Sequence, residues 1–96
     1  MPAYILRCLD RPDAGALRAD TRERHLEYIA AAGDLVLLAG PTLGDDGAPI
    51  GSMLIIEAAD KTAASEFAAK DPYAVAGLFS YTEIQAYRIV TGALTT

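Results

Sequence analysis

Residues 34–58, Asp-Leu-Val-Leu-Leu-Ala-Gly-Pro-Thr-Leu-Gly-Asp-Asp-Gly-Ala-Pro-Ile-Gly-Ser-Met-Leu-Ile-Ile-Glu-Ala, decide the fold. Two apolar runs, 34–40 and 50–58, flank Gly44-Asp45-Asp46-Gly47, a hairpin signal, with Pro41 closing the first run. Strands joined this tightly pair antiparallel. Working outward, residues 3–9 (Ala-Tyr-Ile-Leu-Arg-Cys-Leu) read as another strand, and Asp10-Arg11-Pro12-Asp13 as a turn. Ala14 to Gly33 reads as an amphipathic helix that Gly33 stops. Beyond the hairpin, Asp60 caps a helix over Lys61–Lys70 that packs through Ala63, Ala64, Phe67 and Ala68. Asp71-Pro72-Tyr73 breaks it, a helical turn runs to Leu78, and residues 80–90 alternate as a last strand. Thr91 to Thr96 reads as a frayed tail. The order β-α-β-β-α-β is α+β, a ferredoxin-like sandwich with two helices on one face of a four-stranded sheet. With no linker or repeat, residues 1–96 read as a single domain.

A sheet covered on one side should show one polar strand face. The middle strands do not. Leu35, Leu37 and Ala39 alternate with Val36 and Leu38, and Met53 and Ile55 alternate with Leu54 and Ile56. Both faces must therefore be buried. The simplest cover is the same face of a second copy, giving a homodimer with stacked sheets, a dimeric α/β barrel. An apolar fraction of 52% and a mean hydropathy of +0.21 point the same way.

The net charge of −5 disfavours nucleic acid, which demands basic patches. No apolar run approaches the roughly 18 residues of a membrane span, so no membrane partner is expected. The start lacks a signal-peptide layout, which makes a cytoplasmic location the expectation. Cys8 is the only cysteine and reads as a small buried apolar residue. One histidine and no cysteine pair make no metal site, and no glycine-rich loop cradles a phosphate. No cofactor is implied.

His25 is the only histidine, and it lies mid-way along the apolar arc of its helix, with Leu17, Thr21, Tyr28, Ile29 and Ala32. Asp20, Glu23, Arg24 and Glu27 take the other arc. A desolvated imidazole needs a partner, and its charge state changes near neutral pH. Asp71 is a candidate partner. Asp followed by Pro is also an ordinary helix start. The two roles are compatible, because a carboxylate has two oxygens. Arg22, one turn before His25, either binds an anionic ligand or pairs with a surface acid; Arg18 lies near the same side with a weaker claim. Ser52 can donate to a ligand oxygen or simply end a strand. Tyr73 closes a pocket or covers the core, and Gly40 and Pro41 end a strand or line the pocket with a nearby backbone N–H.

Arg22-Glu23-Arg24-His25-Leu26-Glu27-Tyr28, Ala39-Gly40-Pro41, Gly51-Ser52 and Asp71-Pro72-Tyr73 with Gly77 resemble, in order and separation, the YCII-related family. The resemblance spans Tyr4 to Tyr87. At its end the chain has Ala86-Tyr87 where the family often has a Pro-Phe pair, a departure at the pocket rim. The resemblance implies a dimeric α/β barrel related to muconolactone isomerase, and a pocket holding a histidine and an aspartate that match His25 and Asp71. The expected function is acid/base proton transfer by His25 and Asp71 on a small cyclic or aromatic organic acid. Isomerisation, lyase-type elimination and dehydrochlorination all need one positioned base and no cofactor. The alternatives are a non-catalytic ligand-binding or accessory dimer, and a buried pair that only stabilises the fold.

Overall fold

The computed structural model describes residues 1–92. Its elements are β1 (Ala3–Asp10), α1 (Gly15–Ala32), a 3-10 turn (Gly33–Leu35), β2 (Val36–Leu43), β3 (Pro49–Glu57), α2 (Lys61–Lys70), α3 (Pro72–Val75) and β4 (Phe79–Tyr87). The strands form one antiparallel sheet in the order β2-β3-β1-β4. This is the ferredoxin-like α+β arrangement predicted from the element order.

Strand alternation sorts the side chains. Tyr4 and Leu6 of β1, opposite Ile56 and Leu54 of β3, face the helices and form the core with Ala58, Ala64 and Ala68. Each buried Leu or Ile there contributes roughly 1.5–3 kcal/mol. The small side chains of α2 let it approach the sheet closely, and Asp60 starts it by accepting the Ala63 N–H at 2.8 Å. On the other face of the sheet lie Ile5, Leu9, Leu38, Met53, Ile55 and Tyr81. In a single chain Leu9 is 49% exposed and Tyr81 56%.

The strand limits shift from the sequence reading by one residue at most in β1 and β3 and by more in β2 and β4. β2 starts after the 3-10 turn and passes through Pro41 to Leu43. It is an edge strand, where a residue without an N–H is tolerated. β4 ends at Tyr87 rather than residue 90 because its partner there is Ala3, the first residue of β1; no backbone remains to pair with. The hairpin turns as expected: Gly47 N–H donates to Gly44 O at 2.9 Å, and Gly44 N–H to Ala48 O at 2.8 Å. The last four residues of the Thr91–Thr96 tail lie outside the described residues.

Candidate active site

The face that α1 turns inward is polar. Its buried residues are Arg18, Thr21 and His25, spaced three, four and seven apart on one stripe. Leu17, Tyr28 and Ile29 are only half-buried. The helix therefore delivers chemistry, not bulk hydrophobic packing, to the sheet. Thr21 is 1% exposed, and its hydroxyl has no partner among the described residues.

Asp71 links α2 to α3. It caps α3, with Pro72 in the first turn, and its Oδ1 accepts the Tyr73 backbone N–H at 2.9 Å. Both carboxylate oxygens also lie 2.9 Å from Nδ1 of His25. Both side chains are buried. A carboxylate only accepts, so the contact suits a proton on Nδ1 and leaves Nε2 on the ring edge away from Asp71. Among the described residues Nε2 has no hydrogen-bond partner, and His25 borders the cavity described below.

Tyr73 joins His25 to Arg18. Its ring stacks on the imidazole, with centroids 4.1 Å apart and planes at 19°. The Arg18 guanidinium carbon lies 4.7 Å from the same ring's centroid. Seven helical residues rise about 10 Å, so the phenol ring is held between the two. Burial pushes the Tyr73 phenol up from its ordinary pKa, Asp71 adds to the rise, and Arg18 and Arg22 oppose it. Arg18 is itself pinned. Its Nε donates to Asp10 Oδ2 at 2.7 Å, and its Nη2 donates to Asp10 Oδ1 at 2.9 Å and to Ser52 Oγ at 2.8 Å. Burial works against the guanidinium charge, but the Asp10 contact outweighs it and the pKa rises.

These groups border one cavity of about 510 Å³, within the usual range for small-ligand sites. α1 contributes Arg18, Arg22, His25, Leu26 and Ile29; β2 contributes Ala39, Gly40 and Pro41; Ser52 and Tyr73 complete the wall. The structure thus brings Arg22, His25, Gly40, Pro41, Ser52 and Tyr73 together, with Asp71 behind His25. Arg22 is exposed at the rim. A larger concavity of about 620 Å³, between residues 1–3 and 86–89, contains neither the His25–Asp71 pair nor Arg18. The first cavity, where a buried titratable pair meets a ligand-sized space, is the candidate site.

Asp10 is the residue that sequence reasoning missed, and Arg18 the one it ranked too low against Arg22 as a buried group. Strand parity carries a signal for Asp10, since it follows Tyr4, Leu6 and Cys8 on the helix-facing side. Helical period carries one for Arg18, two turns before His25. Cys8 is buried as expected. Burial raises its thiol to about 11 against a hydrogen bond from Thr82 that lowers it. Among the described residues no three His, Cys, Asp or Glu side chains gather as a metal site would require. No helix among them is long and apolar enough to cross a membrane.

The chain matches the YCII-related domain over residues 3–88. No curated protein matches it in sequence. Among solved structures it is similar to 5-chloro-2-hydroxyhydroquinone dehydrochlorinase from Burkholderia phenoliruptrix AC1100, in complex with 2,5-dihydroxybenzoquinone. The TM-score is 0.84 and the identity 32%, over 90% of this chain and 93% of that one. An antibiotic biosynthesis monooxygenase superposes with a TM-score of 0.58 at 14% identity, over 95% of this chain and 100% of that one. Rv0793 from Mycobacterium tuberculosis does so with a TM-score of 0.53 at 20% identity, over 96% and 97%. The last two likenesses establish the fold alone.

Proposed function

This chain belongs to the YCII-related family, and from there we propose that it is a cofactor-independent enzyme. In this reading His25, oriented by Asp71, transfers protons on a small cyclic or aromatic organic acid. The observation that carries it is the buried pair at the cavity wall: Nδ1 held at 2.9 Å by Asp71, with Nε2 unpartnered. The Burkholderia relative, a dehydrochlorinase crystallised with a dihydroxyquinone, supports a ring-shaped substrate and an elimination.

The neutral imidazole takes a proton from the bound ring at Nε2. The bonding pair stays with the ring as an enolate or phenolate, and the imidazolium is stabilised by the Asp71 carboxylate. The proton can return to another ring position, which is an isomerisation. Alternatively, where the leaving group sits on a saturated ring carbon next to the electron pair, as in a keto tautomer of a chlorinated hydroquinone, that pair forms a ring double bond as chloride departs with its own bonding pair, and the proton passes from His25 to water. A positioned base of this kind contributes roughly 10²–10⁴-fold in rate. Arg22 at the rim attracts the substrate anion, Ser52 and Tyr73 hold its oxygens, and Gly40 and Pro41 form the wall against its ring.

We also propose that two chains pair through the open sheet faces in the cytoplasm. Sedimentation at low micromolar concentration is then expected to give twice 10.1 kDa or an even multiple, and Met53→Lys to break the assembly; a stable wild-type monomer rules the pairing out. The functional test is incubation with 5-chloro-2-hydroxyhydroquinone and with unsaturated lactone acids, following chloride and ring absorbance. Turnover by the wild type that is lost in a folded His25→Ala variant supports the enzyme. Saturable binding without turnover leaves the non-catalytic ligand-binding dimer.

A further inference from the structure

The cavity has a second polar pole, built by the same device as the first. At one pole Asp71 stands behind His25; at the other Asp10 stands behind Arg18, and Tyr73 lies between. Arg18 is 8% exposed and Ser52 4%, yet both border the cavity. A guanidinium has five N–H donors. Asp10 takes the Nε donor and one Nη2 donor, and Ser52 takes the other Nη2 donor. The two N–H groups of Nη1 are used by neither of these, and the Tyr73 phenol, whose hydrogen bond helps hold the guanidinium charge, is the other polar group beside Arg18. Because the Ser52 oxygen accepts from Arg18, its own proton is free to donate.

We propose that Arg18, locked by Asp10 and Ser52, is the ligand-selecting donor of this cavity, and that it takes a neutral or singly charged ring oxygen in preference to a carboxylate or phosphate. The ring oxygen is of the phenol, phenolate or ring-carbonyl class. The inference deepens the enzyme reading above and rests on it for the ring; within the organic acids of that reading it selects those whose acidic group is a ring hydroxyl. Arginine captures carboxylate and phosphate through two parallel N–H groups. Both such edges of Arg18 are already used, one by Asp10 and the other through Nη2 by Ser52. The remaining Nη1 donors diverge, which suits one oxygen at a time. Charge acts in the same direction. Asp10 already neutralises the guanidinium, so a second carboxylate gains no net cation and meets the Asp10 charge behind it. A neutral ring oxygen pairs with Nη1 and the Ser52 hydroxyl without that repulsion, and a phenolate, which meets it, still needs only the single donor position that Nη1 leaves open.

The test compares 4-nitrophenol with 4-nitrobenzoate, which differ in the oxygen group, by NMR titration of the full chain at neutral pH. Wild type is expected to bind 4-nitrophenol at least about tenfold more tightly. Arg18→Lys keeps the charge but not the fork, and is expected to weaken 4-nitrophenol at least about tenfold. Ser52→Ala is expected to weaken it a few fold, roughly the value of one hydrogen bond. Asp10→Asn uncovers the guanidinium charge, and is expected to shift the ratio toward 4-nitrobenzoate by about tenfold or more. Circular dichroism checks the fold of each variant; Arg18→Lys and Ser52→Ala decide the matter if Asp10→Asn does not fold. A wild-type preference for 4-nitrobenzoate overturns the proposal. So does 4-nitrophenol binding that Arg18→Lys leaves unchanged, or an Asp10→Asn variant that is folded and weakens both probes equally. If neither probe binds, this proposal and the ring-ligand reading fall together. If the contrasts hold but no turnover is found, only the catalytic reading falls.

Discussion

Asp71 Oδ1 accepts the Tyr73 backbone N–H at 2.9 Å while lying 2.9 Å from His25 Nδ1, so one oxygen serves a helix cap and an imidazole at once. The cap fixes where the carboxylate stands, and the carboxylate fixes how the ring is turned. Since Tyr73 is the next helical residue but one, the same short turn also stacks the phenol on the imidazole. Orientation of the imidazole thus follows from the backbone geometry of the cap.

Removing the charge should therefore separate catalysis from folding. Asp71→Asn keeps an acceptor for the Tyr73 N–H but cannot stabilise an imidazolium. Turnover is expected to fall about 10²-fold or more, with a small change in thermal midpoint. His25→Ala is expected to abolish turnover and, by leaving a buried carboxylate short of a partner, to cost about 1–3 kcal/mol. Steady-state kinetics and calorimetry on both variants check the split. A large midpoint loss with ligand affinity unchanged would mark the pair as structural.

Stability should fall in alkali. Burial raises the Cys8 thiol from 9.0 to about 11, and it also raises the Tyr28 and Tyr73 phenols. Each group holds its proton more tightly in the folded chain than in the unfolded one. The stability linked to it is complete below its unfolded pKa and is lost as pH rises through the folded value. For Cys8 the loss begins near 9 and is complete above about 11. Urea unfolding is expected to give a lower midpoint at about pH 10.5 than at about pH 8, and a Cys8→Ala variant should lose part of that dependence. Alkylation at about pH 8 should label Cys8 only after unfolding.

Gly51 admits no side chain. A Cβ built there falls 2.3 Å from the Cys8 carbonyl oxygen and 2.7 Å from Thr42 Oγ1. The first contact is with the backbone of the neighbouring strand, which cannot swing aside. Gly51→Ala is expected to destabilise by about 1–3 kcal/mol, lowering the thermal midpoint by several degrees, and to spread β1 from β3 beside Ser52. Loss of ligand affinity should accompany the loss of stability.

Tyr28→Phe tests the link between the two long helices. The Tyr28 hydroxyl donates to the Phe67 carbonyl at 2.9 Å, one of the last four carbonyls of α2, which have no partner inside the helix. Its loss is expected to cost about 0.5–1.5 kcal/mol, or roughly 2–12 °C in thermal midpoint for a domain of this size. Turnover by the folded variant should be preserved, since the tyrosine does not border the cavity.

Much of this architecture is legible along the chain because it is local. The hairpin needs only Gly44 to Gly47 between two apolar runs. The caps at Asp60 and Asp71 need only their next few residues, and the period of α1 puts His25 on its inner face. Strand pairing obeys alternation, so Cys8 could be read as buried. The approach of Asp71 to His25, 46 residues apart, was also within reach, because the topology puts α1 and the end of α2 on one face of the sheet. The Asp10–Arg18–Ser52 cluster was not. Its members come from a strand end, a helix and a second strand; periodicity places each on an inward face, but nothing in the sequence says that they meet. A charge is stable inside a small core only when its partner sits within hydrogen-bond distance. Whether that partner arrives depends on how three elements pack together. Likewise Pro41 reads as a strand terminator until the sheet order makes β2 an edge, where the missing N–H costs no pairing. Periodicity assigns faces; packing alone assigns the contacts that let polar groups occupy them.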